Sequence, residues 1–236
     1  MTGERAIIEV EQLSKVFGVL PALQRLDFSV ARGEFVLLLG ANGSGKSTLL
    51  RLLSGLSKPS AGTVRIGGWE LPREAMELRA QIGLVAHRPL LYENLTAREN
   101  LAFFGRLYGI ERTECETRSR DLLRQVGLLR RADTLVRSFS RGMKQRLSIA
   151  RAVLHQPDLL LLDEPYSGLD QRAAESLDAL LATAWQEGRT IILSTHQLER
   201  LPQTAGRALI LSRGRVAYDG AVEEDEMIPI YQAASA

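Results

Sequence analysis

The residues with the clearest chemical potential form a glycine-rich run, GANGSGKST, at positions 40–48. An apolar run at 35–39 precedes it and a helical pattern follows it, which is the setting that the phosphate-binding motif G-x-x-x-x-G-K-[ST] requires. Glycines let successive backbone N–H groups curl around phosphate oxygens, and the start of the following helix adds positive potential. We therefore predict that a nucleotide binds through Gly40, Ala41, Asn42, Gly43, Ser44, Gly45, Lys46, Ser47 and Thr48.

Two residue pairs have defined chemical roles at such a site. Lys46 is expected to reach the β- and γ-phosphates, and the hydroxyl of Ser47 to ligate Mg²⁺. A second apolar run, at 159–162, ends in Asp163 and Glu164. Alone, this pattern usually marks only the end of a strand. Paired with the phosphate loop it predicts NTP hydrolysis, with Asp163 at Mg²⁺ and Glu164 polarising the attacking water.

The elements that must position these residues alternate between short β-type runs and helical stretches, as in a largely parallel α/β sheet. The predicted strands are 6–10, Phe35–Leu39, 63–66, Leu159–Asp163, Thr190–Ser194 and 208–211. Helical periodicity at 96–108, 114–126 and 141–155 indicates a helical lobe. We expect one domain over 1–236, with a nucleotide-binding core in 1–87 and 157–236 and the inserted lobe in 88–156.

The residues that open the third helical run carry a family resemblance. Positions 139–146 read FSRGMKQR and resemble the LSGGQ signature of ATP-binding cassette (ABC) ATPases. In that family the serine hydroxyl and a glycine amide bind the γ-phosphate of ATP held by the partner subunit. The resemblance assigns Ser140, Arg141 and Gly142 to this role in trans, although Arg141 and Met143 depart from the commonest letters. It implies a P-loop NTPase core with a mainly parallel sheet, an antiparallel β part near the N-terminus and an inserted helical lobe.

Further family marks follow in order along the chain. Residues 167–170, which end in Asp170, resemble the D-loop, and His196 resembles the switch histidine that contacts the γ-phosphate. Phe17 resembles the aromatic residue that stacks on adenine. The resemblance implies ATP and Mg²⁺ as cofactors and a head-to-tail homodimer with ATP between the two chains. In it, Glu164 and His196 hold the attacking water.

One departure from the family pattern is informative. The family normally has a glutamine joining core to lobe where 83–89 reads GLVAHRP, so that His87 takes its place. Imidazole suits Mg²⁺ less well than an amide oxygen, but His87 could accept from a Mg²⁺-bound water with a pH-sensitive contact. We count His87 among the catalytic candidates, with neutral drift as the alternative. His87, followed by x-Pro and by LTARENL at 95–101, resembles the haem exporter ATPase of the cytochrome c maturation (Ccm) system.

That resemblance implies a peripheral protein on the cytoplasmic face of the inner membrane, bound to the Ccm membrane subunits. There, ATP hydrolysis would drive release of a haem-loaded chaperone. Another ABC exporter of a drug, lipid or polysaccharide would have the same site and different partners. We expect Leu90, Leu91 and Tyr92 to contact the integral membrane permease subunits, since loops are rarely buried. For the apolar residues Phe103, Phe104, Leu107 and Tyr108 we favour the core over a docking patch.

Composition argues against the remaining functional classes. The chain of 236 residues has 30 basic and 28 acidic side chains, a net charge of +2, and 6% aromatic residues, so nucleic-acid binding is poorly supported. A DNA-maintenance ABC protein would need a long coiled coil, and a ribosome-associated one would carry two cassettes. The lone Cys115 indicates a reducing compartment. Because the apolar runs are far shorter than a membrane helix, we expect membrane contact only through partners.

Overall fold

The computed structural model describes residues 6–74, 78, 80–196, 205–221 and 227–235. Its strands are β1 (Ala6–Phe17), β2 (Leu20–Ala31), β3 (Phe35–Leu39), β4 (Ala61–Ile66), β5 (Trp69–Leu71), β6 (Ile82–Val85), β7 (Leu159–Asp163), β8 (Thr190–Ser194), β9 (Arg207–Ser212) and β10 (Arg215–Ala221). Its helices are α1 (Lys46–Leu53), α2 (Ala97–Leu107), α3 (Arg112–Gln125), α4 (Arg141–Val153), α5 (Gln171–Gln186) and α6 (Met227–Ser235). Of the helices described, none combines the length and apolarity needed to cross a bilayer.

The larger sheet brings the ends of the apolar strands together. Its order is β10-β9-β3-β8-β7-β6, and the strands from β9 to β6 are parallel. Every residue of β3, β7 and β8 is buried, as expected for interior strands covered on both faces. Because these three strands are parallel and β8 pairs with both others, their carboxyl ends lie at one edge of the sheet.

A smaller antiparallel sheet, with the order β2-β1-β4-β5, uses most of the N-terminal residues. Its inner face and helix α1 contribute to one hydrophobic cluster, which contains Ile8, Leu23 and Leu49. The predicted fold class is therefore confirmed: a mainly parallel sheet, an antiparallel β part near the N-terminus and helices between them.

Helices α2, α3 and α4 lie between β6 and β7 in the chain and share a hydrophobic cluster of their own. Helix α2 begins at a capping box, in which the Thr96 hydroxyl accepts from the backbone N–H of Glu99 at 3.1 Å. The Glu99 carboxylate in turn accepts from the Thr96 N–H at 2.8 Å, so that two N–H groups of the first turn are satisfied. The lobe boundaries at 88 and 156 stay a prediction.

Several elements were not predicted from the sequence, namely β2, β5, β6, β10, α5 and α6. Strand β6 includes part of the 83–89 segment, so only the residues after Val85 form the loop that contains His87. The favoured core position of the α2 apolar residues is wrong for Leu107, which is 65% exposed. Phe103, Phe104 and Tyr108 are only half-buried, because the buried face of α2 runs through Asn100, Leu101 and Gly105 instead.

A histidine just beyond α4 joins this helix to α2. The ring of His155 stacks on Tyr108 with 3.7 Å between centroids and 9° between planes. Burial is the main cause that lowers the pKa of His155, to about 4. In the unfolded chain the imidazole of His155 binds its second proton below about pH 6.5. Between these values the unfolded state binds more protons than the folded state, so the free energy of unfolding falls as the pH falls.

We predict that this histidine makes the fold acid-sensitive. Between about pH 6.5 and about pH 4 the wild type should lose up to about 3 kcal/mol through His155. The variant His155→Phe keeps an aromatic ring against Tyr108 and removes the titrating group, so its free energy of unfolding should fall less. Urea unfolding across this pH range measures the difference. Identical pH dependence in the two proteins would show that His155 titrates normally.

Candidate functional site

The phosphate loop joins the end of β3 to the start of α1. Gly45 precedes the helix with a φ of 114°, and its carbonyl accepts from the Leu49 N–H at 2.8 Å. A Cβ at Gly45 would lie 2.5 Å from Cδ2 of Leu23 in β2, so only glycine fits. At Gly43, with a φ of 82°, a Cβ would meet nothing within 4 Å. Strand β2 therefore packs against the loop at Gly45, whereas the loop is open to space at Gly43.

Two polar side chains in the loop suit a phosphate. Lys46 is 6% exposed, and its Nζ donates to the carbonyls of Gly40 at 2.6 Å and Ala41 at 3.2 Å. Burial lowers the pKa of this ammonium group, and the carboxylates of Glu164 and Asp163 oppose that shift. The buried Ser44 hydroxyl has no hydrogen-bond partner among the described residues. An unsatisfied buried hydroxyl beside an ammonium group fits phosphate oxygens.

A buried carboxylate connects the loop to the edge of the sheet. Asp163, 5% exposed at the end of β7, accepts through Oδ1 from Oγ of Ser47 at 3.1 Å and Oγ of Ser194 at 2.8 Å. The hydroxyl and carboxylate oxygens of Ser47 and Asp163, placed side by side, fit the preference of Mg²⁺ for oxygen ligands. The sequence analysis missed Ser194. In the sequence, Ser194 is marked only by its position at the end of a predicted buried strand, two residues before His196.

The two residues assigned to the attacking water contact each other. Glu164 has a φ of 50°, a left-handed conformation that is uncommon outside glycine. Its N–H donates to the Ser194 carbonyl at 3.1 Å. Its Oε1 lies 2.8 Å from Nδ1 of His196. An ionised carboxylate only accepts, so in this contact Nδ1–H of His196 donates to Oε1 of Glu164.

These groups line one cavity of about 490 Å³. Its lining residues come from β2, the phosphate loop, α1 and four other segments: Ala22, Asn42, Gly43, Gly45, Lys46, Ser47, Thr48, His87, Arg141, Glu164, Ser167 and His196. The structure thus brings His87 to the same cavity as the phosphate loop. Phe17, by contrast, is 53% exposed at the end of β1, where Nζ of Lys15 lies 5.0 Å from its ring centroid.

The signature segment and the D-loop pack against each other within the chain. Nη2 of Arg141 donates to Oγ of Ser167 at 2.8 Å, and a Cβ at Gly142 would lie 2.6 Å from the Gly168 carbonyl oxygen.

Both segments also begin helices. Oγ of Ser140 accepts from the Met143 N–H at 3.2 Å, and Oδ1 of Asp170 accepts from the Ala173 N–H at 2.8 Å. The structure therefore shows each as an N-cap, and the roles of Ser140, Arg141, Gly142 and Asp170 at a partner's nucleotide stay a prediction.

Comparison with known proteins agrees with this geometry. Residues 23–167 match the family model described as ABC transporter. The Nod factor export ATP-binding protein I of Paraburkholderia xenovorans is 39% identical over 216 residues, which cover 92% of this chain and 71% of that protein. The linearmycin resistance ATP-binding protein LnrL of Bacillus subtilis is 34% identical, over 89% of this chain and 68% of that protein.

A solved structure with the same fold is the ATP-binding cassette MJ0796, a dimer in a post-hydrolysis state bound to ADP and Pi. It superposes with a TM-score of 0.85 at 27% identity and covers 92% of this chain and 99% of its own.

The contacts of Asp163 lead to a prediction for Ser194. Ser194→Ala should leave a buried carboxylate with one hydrogen bond fewer, which costs about 1–3 kcal/mol in free energy of unfolding. It should also raise several-fold the Mg²⁺ concentration needed for half-maximal ATP turnover. Ser176→Ala is the matched control, since that hydroxyl donates to the Arg172 carbonyl on an exposed face of α5. An unchanged Mg²⁺ requirement in Ser194→Ala would contradict the role.

Proposed function

Because this chain belongs to the ABC transporter family as an ATP-binding subunit, we propose that it powers an exporter through ATP hydrolysis at the cavity around Lys46. The observation that carries this proposal is that phosphate-loop residues line the same cavity as Glu164 and His196. Of the two relatives above, one is named for Nod factor export and the other for linearmycin resistance, and export of a toxic compound is a common route to resistance.

The geometry supports a separate role in ATP hydrolysis for each of the main cavity residues. Lys46 and the loop N–H groups would bind the β- and γ-phosphates and stabilise their charge during in-line attack. Ser47 and Asp163 would hold Mg²⁺, which neutralises phosphate charge when bound. Glu164 would polarise the attacking water as general base. His196 would orient the Glu164 carboxylate through the 2.8 Å contact and face the γ-phosphate.

The proposal extends to a head-to-tail homodimer. Ser140 and Gly142 of one chain would complete the site of the other, which agrees with the dimeric state of the MJ0796 structure. Phe17 would supply an aromatic surface for adenine, since its ring is exposed at the end of β1. His87 would act at the same nucleotide, where Ser47 and Asp163 would hold Mg²⁺, because it lines the cavity with Lys46 and Ser47.

The haem interpretation of the sequence is not supported by the comparisons. It depended on His87 and on the 95–101 run, whereas the relatives named above serve Nod factor export and linearmycin resistance. We therefore favour the sequence-based alternative, an exporter of a drug, lipid or polysaccharide. Its partners would be the permease subunits of such an exporter, at the membrane surface.

A second cavity is where we propose that those subunits dock. It has about 490 Å³ and a mainly apolar lining: Ser54, Leu56, Ile82, Leu84, Pro89, Leu90, Leu91, Tyr92, Phe104, Tyr108 and Arg151. Leu90 is 42% and Tyr92 51% exposed, and the Tyr92 ring lies 4.8 Å from that of Phe103. We call this cavity the lobe groove. Exposed aromatic and aliphatic side chains around a groove favour a helix from a membrane subunit.

The proposed catalytic role of Glu164 has a direct test. Glu164→Gln keeps the size and the hydrogen bonding of the side chain but removes the base, so turnover should fall about 100-fold or more, while ATP binding is retained. ATP should also accumulate in a dimer that size-exclusion chromatography resolves. Glu175→Gln, on the exposed face of α5, is the control. Wild-type turnover in Glu164→Gln would show that another group is the base.

Co-expression separates the two exporter hypotheses. We expect that tagged protein does not co-purify in detergent with the Ccm membrane subunits, because the comparisons favour another exporter. Co-purification, with haem-loaded chaperone trapped on the complex only in Glu164→Gln, would restore the haem interpretation and overturn our choice. Neither result alters the ATPase assignment, which the Glu164→Gln turnover assay tests independently.

A further inference from the structure

A buried arginine in the second half of α4 has no role in the mechanism above. Arg151 is 5% exposed and lies about three turns beyond the signature residues at the start of the same helix. It lines the lobe groove. Buried arginines are rare unless their donors are engaged, so its partners indicate what it does.

The guanidinium group of Arg151 holds two main-chain carbonyls. Nη1 donates to the Leu90 carbonyl at 2.8 Å, and Nη2 donates to the Leu84 carbonyl. Leu84 lies in β6 and Leu90 lies in the groove, so the two carbonyls bracket the segment that contains His87. The planar fork of an arginine can bind both carbonyls at once, which the single ammonium group of a lysine does poorly.

The surroundings of Arg151 add rigidity. Its Cζ lies 5.1 Å from the centroid of the Phe104 ring, within cation–π range. Burial lowers the pKa of this guanidinium, which nevertheless stays charged at neutral pH. None of the described carboxylates contributes to that pKa. The charge is therefore met by carbonyl dipoles and an aromatic face.

The backbones of helix α4 and strand β6 approach each other closely beside Arg151. A Cβ at Gly83 in β6 would lie 2.2 Å from the carbonyl oxygen of Ala152, the residue next to Arg151. Helix α4 and strand β6 are thus in direct backbone contact beside the guanidinium group. The side-chain and backbone contacts are independent observations of the same junction.

We propose that Arg151 is a positioning residue that locks the His87 loop to α4, so that His87, the Leu90 edge of the lobe groove and the signature helix move as one unit. The proposal rests on the proposed function, because it places His87 for hydrolysis at the Lys46 cavity. If a docked segment displaced Leu90, the guanidinium group of Arg151 would transmit that displacement to both His87 and the signature helix.

The test compares Arg151→Met with a matched variant, Arg146→Met. Methionine keeps a long unbranched chain and removes the forked donors. Arg146 lies on the same helix, and its Nη1 donates to the Val126 carbonyl at 3.1 Å within the lobe. For Arg151→Met we expect kcat to fall roughly tenfold while the KM for ATP changes less than about twofold, because the phosphate loop is untouched. Amide hydrogen exchange should accelerate in 86–91 and not in α3.

Arg146→Met should leave the exchange of 86–91 at the wild-type value. Arg151→Lys restores the charge without the fork, so its exchange in 86–91 should lie between those of the wild type and Arg151→Met. If Arg151→Met does not fold, the ratio of Arg151→Lys to wild-type exchange in 86–91 decides the question.

Wild-type exchange in 86–91 for both Arg151 variants, or the same acceleration in Arg146→Met, would overturn the proposal. The exchange measurement needs no turnover, so it separates a failure of the clamp from a failure of the ATPase assignment. If the wild type hydrolysed no ATP, the proposed function would fall, while exchange in 86–91 would still report on Arg151.

Discussion

The site depends on one buried carboxylate whose hydrogen bonds require three chain segments to meet. Oδ1 of Asp163 accepts from Ser47 at the start of α1 and from Ser194 at the end of β8. Strand register makes this possible, because Ser194 pairs with both Asp163 and Leu38 in the parallel sheet. A slip of one residue would turn these side chains to the opposite face. The burial of three apolar strands thus fixes the position of a polar site at their carboxyl ends.

Helix α4 gives the same site a connection to the surface. Near its start, Arg141 donates to Ser167 in the D-loop, and Nε2 of Gln145 donates to the Pro165 carbonyl at 3.0 Å. Near its end, Arg151 holds the His87 loop and lines the lobe groove. One helix therefore touches the segment that follows Asp163 and Glu164 and the segment that carries His87. Because a packed helix moves as a unit, the proposed clamp would link contact at the groove to the geometry of the Lys46 cavity.

The sequence predicts an element of this arrangement where its signal lies in consecutive residues, and misses it where the signal depends on contacts with residues far away in the chain. The phosphate loop and strands β3, β7 and β8 were predicted because their signals are contiguous. The sequence analysis missed strand β6, which contains a glycine. Gly83 is needed there because the carbonyl of Ala152 packs against it, and only the tertiary fold brings that carbonyl near. The exposure of Leu107 was missed because an apolar helical period does not say which of two faces the lobe covers.

The site shows the same division. Motif residues could be assigned from type and order, and the structure places Lys46, Ser47, Asp163, Glu164, His196 and His87 together as those motifs suggested. Ser194 and Arg151 could not be found in this way, since their partners are fixed by strand register and by main-chain carbonyls over 60 residues away. The groups proposed to bind phosphates and a metal carry no information on cargo, and the groove is mainly apolar. Relatives named for Nod factor export and for linearmycin resistance align over about nine-tenths of this chain, so we expect the choice of cargo to lie with the proposed membrane subunits.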